Sequence, residues 1–193
     1  MSRPTLARRT ATYADLMRVP DHLVAEILEG ELYATPRPTV PHAVAAYALG
    51  VDLGGPFDRG RGGPGGWWIL FEPELHLVAD VVVPDLAGWR RSRVPVLPNA
   101  PAMTVAPDWV CEILSPSTEA MDRVPKLRIY AREGVAHVWF VNPKTQTLEV
   151  LRLEEDHWVV AATHDGDVTV TVEPFEAVPL ELFRLWGHAV PEA

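Results

Sequence analysis

The chain has 193 residues, 48% of them hydrophobic and 22% charged, enough apolar content to bury one sizeable core and to suggest a single domain over 1–193, with 1–20 as an N-terminal extension carrying a short helix. Seventeen Lys and Arg against 26 Asp and Glu leave a formal charge of −9, which argues against tight metal-free binding of nucleic acid, since domains that grip phosphates carry a basic footprint. The one cysteine, Cys111, rules out an intramolecular disulfide and a Cys-based metal site, and no apolar run approaches the ~18 residues of a spanning helix, so a cytoplasmic location and no membrane partner are expected.

In chain order, residues 12–18 fit a short helix, with Thr12 and Asp15 spaced as a capping box. Residues 23–28 and 31–34 read as a β-hairpin around Glu29-Gly30, ended by Pro36 and Pro38. Thr39 can cap a helix over 40–53, with Pro41 in its first turn and Gly54-Gly55 as its stop. The glycine-rich stretch 58–66 predicts a mobile loop; no Gly-Lys-Ser/Thr follows it, so it is not a phosphate-binding P-loop. Segments 67–71, 74–78 and 80–86 are strand-like, and alternation puts Glu74, His76 and Val78 on one face.

The proline-rich stretch 94–107 leads into a strand over 109–114. Ser115-Pro116-Ser117-Thr118 breaks it and opens a helix, with Asp122 as N-cap, Pro125 in the first turn, a core stripe of Leu127, Tyr130 and Ala131, and Gly134 as stop. Residues 136–142, 147–153 and 157–163 read as strands, 168–172 as an edge strand and 179–186 as a terminal helix. The sum is an α/β (α+β) fold, a mixed β-sheet flanked by helices with an added C-terminal antiparallel strand region.

Asp85, Glu112 and Lys126 form the most informative set. Phosphodiester hydrolysis needs a hard cation held by one or two carboxylates, and a positive group to balance charge on the phosphate. Glu112 lies between Cys111 and Ile113 in an apolar run, where a carboxylate is costly unless paired or metal-bound. Either acid alone reads equally well as a salt-bridged strand residue, and Lys126 alone as a solvated helix-face lysine. The seven histidines lack the spacing that places two imidazoles on one ion, which disfavours zinc.

The stretch from Pro107-Asp108-Trp109 through Glu112-Ile113-Leu114-Ser115-Pro116-Ser117-Thr118, then Asp122, Lys126, Tyr130, Gly134-Val135 and Val138-Trp139-Phe140-Val141-Asn142-Pro143, resembles the Uma family of restriction-endonuclease-like proteins in the PD-(D/E)XK superfamily. The likeness takes in Glu26, the Glu29-Gly30-Glu31-Leu32 turn, His42 and Pro84-Asp85. It implies a restriction-endonuclease-like core and a metal-dependent endonuclease acting on nucleic acid, with DNA the first expectation. The superfamily's lysine two residues after the second acid is replaced here by Leu114, and Lys126 is the residue the Uma pattern offers instead.

On that reading Asp85 and Glu112 bind Mg²⁺, with Mn²⁺ as a substitute and the Ile113 carbonyl as a third ligand, while Lys126 stabilises developing charge or positions the attacking water. Glu26, His42 and Glu74 are candidates for the edge of the site. Arg123, Arg90 and Arg91 are candidates for substrate contact, with Trp89 beside the last two. A homodimer is the expected assembly, as for enzymes that cut both strands. The alternative is a catalytically silent nuclease-fold module that binds nucleic acid or protein, with Leu114 marking a lost lysine.

Overall fold

The computed structural model describes residues 10–187; Arg3, Arg8, Arg9 and His188 lie outside them. Helix α1 (Tyr13–Leu16) starts at Thr12, whose backbone N–H donates to the Asp15 carboxylate at 2.9 Å, so aspartate completes the capping box. Strands β1 (Leu23–Leu28) and β2 (Glu31–Pro36) form the expected hairpin. Its two turn residues, Glu29 and Gly30, have φ of 51° and 83°, the left-handed pair that a tight two-residue hairpin requires.

Helix α2 (Val40–Leu53) has the bounds read from its cap and proline. It does not stop at Gly54-Gly55: Gly54 keeps right-handed angles, and the chain runs on through a π turn, Gly54–Asp58. The glycine loop after it is pinned and not free, because Arg61 N–H bonds to the Gly55 carbonyl and Gly65 N–H to that of Pro56. At Gly63 a Cβ would come within 2.4 Å of the Pro56 side chain.

Strands β3 (Trp67–Phe71), β4 (Leu75–Leu77), β5 (Asp80–Val82) and β6 (Leu86–Arg90) follow. The run 80–86 is therefore not one strand. β5 and β6 belong to different sheets, and Val83-Pro84-Asp85 is the corner between them, where Pro84 has no N–H to continue a ladder. Asp85 accordingly lies on a corner and not within a strand.

Strand β7 (Trp109–Ile113) leads to α3 (Glu119–Met121), a π turn (Asp122–Lys126) and α4 (Leu127–Arg132). The helix starts after Thr118, so Asp122 is inside it and is not its N-cap. Pro125 cannot donate to a preceding carbonyl, and the widened π turn falls across it. Strands β8 (His137–Asn142), β9 (Thr147–Glu154) and β10 (His157–Asp165) complete a meander. The last expectations change: β11 (Thr169–Val170) pairs with β12 (Leu180–Glu181) as a separate ribbon, not as an edge of the main sheet, and only Leu182–Trp186 is helical, as a 3₁₀ helix.

Among the described residues, one sheet has the order β2-β1-β5-β4 and the larger one β10-β9-β8-β7-β6-β3. In the larger sheet β7 and β8 are parallel, joined by the crossover through α4, and the other neighbours are antiparallel. Trp109, Cys111 and Ile113 face α2, packing with Ala45, Leu49 and Leu53; Val110 joins Leu114, Ile129 and Tyr130 on the α4 side. Trp89 is fully buried in this second core and donates its indole N–H to the Val105 carbonyl at 2.8 Å, so it is a packing residue without access to substrate.

Candidate active site

Glu112 takes its position from β7. Alternation turns it to the α4 side with Val110, where an apolar neighbour would be expected. Opposite it, Asp122, Lys126 and Tyr130 recur every four residues and form a polar stripe along an otherwise apolar helix face. Lys126 Nζ lies 3.2 Å from Glu112 Oε2, 3.2 Å from Asp122 Oδ1 and 3.1 Å from Glu26 Oε1. Tyr130 donates its hydroxyl to Glu112 Oε1 at 2.5 Å. Glu26 arrives on β1 of the smaller sheet and accepts the Val83 N–H at 2.7 Å, so both sheets converge on one ammonium.

Asp85 stands beside this cluster at the corner. Its Oδ2 accepts the Ile113 N–H at 2.6 Å, and its Oδ1 lies 2.7 Å from His42 Nε2 on the first turn of α2. Asp85, Glu112, Lys126, Glu26, Asp122 and His42 all line one cavity of about 220 Å³. Arg37 lies on one side of it, with Ser115, Ser117 and Thr118 on its wall.

Burial raises the Glu112 carboxyl well above its usual range; Lys126 opposes this, while Asp122, Asp85 and Glu26 add to it. Burial likewise raises Glu26 and Asp122, against the pull of Lys126. For Lys126, burial disfavours the charge, but Glu112, Glu26, Asp122 and Asp85 outweigh it and hold the ammonium protonated. Burial also opposes protonation of His42, and the hydrogen bond and charge of Asp85 more than offset that, so the imidazole titrates above its ordinary value. The cluster thus sets the carboxyl groups of Asp85, Glu112, Glu26 and Asp122 around the Lys126 ammonium and the His42 imidazole.

Residues 11–182 match a family described as "Putative restriction endonuclease", Uma2. The chain belongs to the Uma2 family. A crystal structure of a putative nuclease belonging to DUF820, from Anabaena variabilis, is similar over 91% of this chain and 97% of that one, with a TM-score of 0.69 and 22% identity, which establishes a shared fold. No curated protein matches.

In this Uma2 chain the fold brings together Asp85, Glu112, Lys126, Glu26 and His42 of the residues singled out in the sequence, and leaves others apart. Ile113 adjoins the site through its N–H to Asp85. Glu74 does not line the cavity; it bonds His76 at 2.7 Å and the Tyr13 hydroxyl at 2.9 Å beside a neighbouring hollow. Arg90 ends β6 and Arg91 follows it, roughly 17 and 20 Å along the chain from Asp85 at the ~3.3 Å rise of a strand residue. Arg90 stacks on Trp67, and Arg91 stacks on Trp68 and pairs with Asp58 at 2.5 Å. Arg123 is held by Glu149 and Glu119 over the Phe140 ring. These three arginines are committed to local partners and none lines the cavity.

Asp122, Tyr130 and Arg37 were not among the residues the sequence singled out for the site. The first two were detectable as polar residues at a spacing of four in a core-facing helix; Arg37 carried no signal beyond its place between two prolines.

The resemblance to the PD-(D/E)XK superfamily implies a magnesium ion. Among the described residues no group of three or more His, Cys, Asp or Glu side chains is arranged to hold a metal by itself. Magnesium asks for less: one or two carboxylates, with water and substrate phosphate completing its shell. Asp85 and Glu112, hard oxygen donors lining one cavity, fit that demand.

Proposed function

We propose that this Uma2 protein is an endonuclease that hydrolyses phosphodiester bonds in nucleic acid, DNA foremost, with Mg²⁺ held by Asp85 and Glu112. The observation that carries the reading is the buried Lys126 ammonium, 3.2 Å from Glu112 and in one cavity with Asp85. That is the Asp, Glu and Lys set the chemistry needs, assembled from three separate elements. When bound, the ion supplies Lewis-acid polarisation of a phosphate oxygen and lowers the pKa of water.

The chain's own residues have distinct tasks. The Ile113 N–H and His42 fix both oxygens of Asp85. Tyr130 fixes the rotamer of Glu112. Lys126 places a preorganised positive charge beside the cavity, where charge developing on phosphate is stabilised without reorganisation. Arg37, which donates to the Asp21 carbonyl at 2.9 Å, and the hydroxyls of Ser115 and Thr118 offer the donors that phosphate oxygens accept.

A second reading, the silent module, draws on the same ammonium, because three carboxylates hold it within 3.2 Å. The two are separated by incubating supercoiled plasmid, single-stranded DNA and RNA with Mg²⁺, Mn²⁺ or EDTA, using native and Glu112→Gln protein. Metal-dependent cutting that the substitution abolishes is the expected result. Cutting that persists in Glu112→Gln, or in EDTA, would overturn the assignment, and calorimetry showing no Mg²⁺ uptake by the native protein would favour the silent module.

A further inference from the structure

A second hollow of about 370 Å³ adjoins the first cavity at His42 and Asp85. The two share Pro38, His42, Glu72 and Asp85, so the hollow continues the active site. Its remaining walls are apolar: Ala43 and Ala46 of α2, with the rings of Tyr47 and Phe71. Both rings face solvent, Tyr47 with 71% and Phe71 with 52% of its surface exposed.

Phe71 is not there by default. It is the last residue of β3, on the face that buries Trp67 and Ile69 against α2. Its ring lies over Gly50 of that helix, where a Cβ would come within 1.8 Å of the ring's far carbon. A glycine inside a helix costs about 1 kcal/mol relative to alanine. The fold accepts that cost at Gly50, and the result is an exposed aromatic ring in the wall of the hollow.

Flat aromatic rings beside a phosphodiester-cleaving centre are the surface on which an unpaired base stacks. A base held inside a duplex presents only its edges to a groove, so it cannot occupy such a hollow without leaving the stack. We propose that this hollow receives an unpaired nucleobase next to the scissile phosphate, held by Tyr47 and Phe71, and that the substrate is therefore a single-stranded segment of nucleic acid. The inference rests on the nuclease reading and narrows its substrate class.

The test measures binding by fluorescence anisotropy in the Glu112→Gln background, to prevent cleavage. The probes are a single-stranded DNA, the same strand as RNA, a DNA strand with abasic sites at its centre, and a fully paired duplex. Tyr47→Ala and Phe71→Ala should each weaken binding of the DNA or RNA strand about tenfold, in line with one lost base stack, while Tyr47→Phe binds as the parent does. Gly50→Ala should also weaken it, by displacing the Phe71 ring, while the helix itself gains propensity.

The effect should vanish on the abasic strand and on the duplex. Equal losses on all probes, or none on the single strands, would overturn the inference. So would a change in sedimentation on Tyr47→Ala, which would make the exposed rings a contact between two copies of the chain. If the parent binds no probe and native protein cuts none, the nuclease reading fails and the inference with it; if native protein cuts and only the aromatic variants are without effect, the inference alone fails.

Discussion

Tyr130 and Glu112 meet between a helix and a strand, hydroxyl to carboxylate at 2.5 Å, with both side chains buried. A hydrogen bond to a charged group in such a place contributes about 1.5–3 kcal/mol. Tyr130→Phe should therefore lower the unfolding free energy by an amount in that range, read in urea as a lower midpoint at an unchanged m-value.

Lys126 neutralises part of a cluster of three buried carboxylates. Removing one member of a buried ion network costs about 3–5 kcal/mol, because the remaining charges are stranded. Lys126→Met should show a loss of that order in denaturant unfolding at neutral pH. Adding Glu26→Gln should return part of it, a coupling that a double-mutant cycle would measure.

Arg37 lies at the cavity and donates to the Asp21 backbone carbonyl. If it meets a phosphate, Arg37→Ala raises KM for nucleic acid with little change in kcat. The slope of log affinity against log salt should also become shallower by about one.

His137 supplies a pH dependence of stability. Burial lowers its pKa, with Arg90 and Arg152 adding to this and Glu173 opposing it. The folded state thus takes up its proton at a lower pH than the unfolded chain, whose histidine titrates near 6.5. Between those two values the unfolded state binds more protons, so stability falls as pH drops below about 6.5. Thermal melts of His137→Gln should show a flatter decline between about pH 7 and 5 than the native protein does.

What could be read from the residues follows the strength of their local signals. Thr39 and Pro41 mark a helix start that tertiary packing had no reason to move, and Glu112 announced itself as a charge in an apolar strand. The corner at Asp85 was hidden because Val81-Val82-Val83 has no period to reveal a change of sheet. Asp122 was read as a cap because Pro125 three residues on suggests a first turn; the π turn makes that proline tolerable further inside. The partners of the arginines were illegible for a different reason. Arg91 and Arg123 find their carboxylates 33 and 26 residues away, and pairing at that range leaves no trace in neighbouring sequence.

The widened turn at Asp122–Lys126 also sets how such a site can be lost. One residue fewer within it would restore regular helical winding while swinging Asp122 by about 100° relative to Lys126 and Tyr130. Ile129 and Tyr130 would still cover the sheet, so the domain would keep its core while its carboxylate cluster came apart. A single-codon deletion there separates scaffold from chemistry, and it marks where a relative that has kept only its binding surface would first differ from this chain.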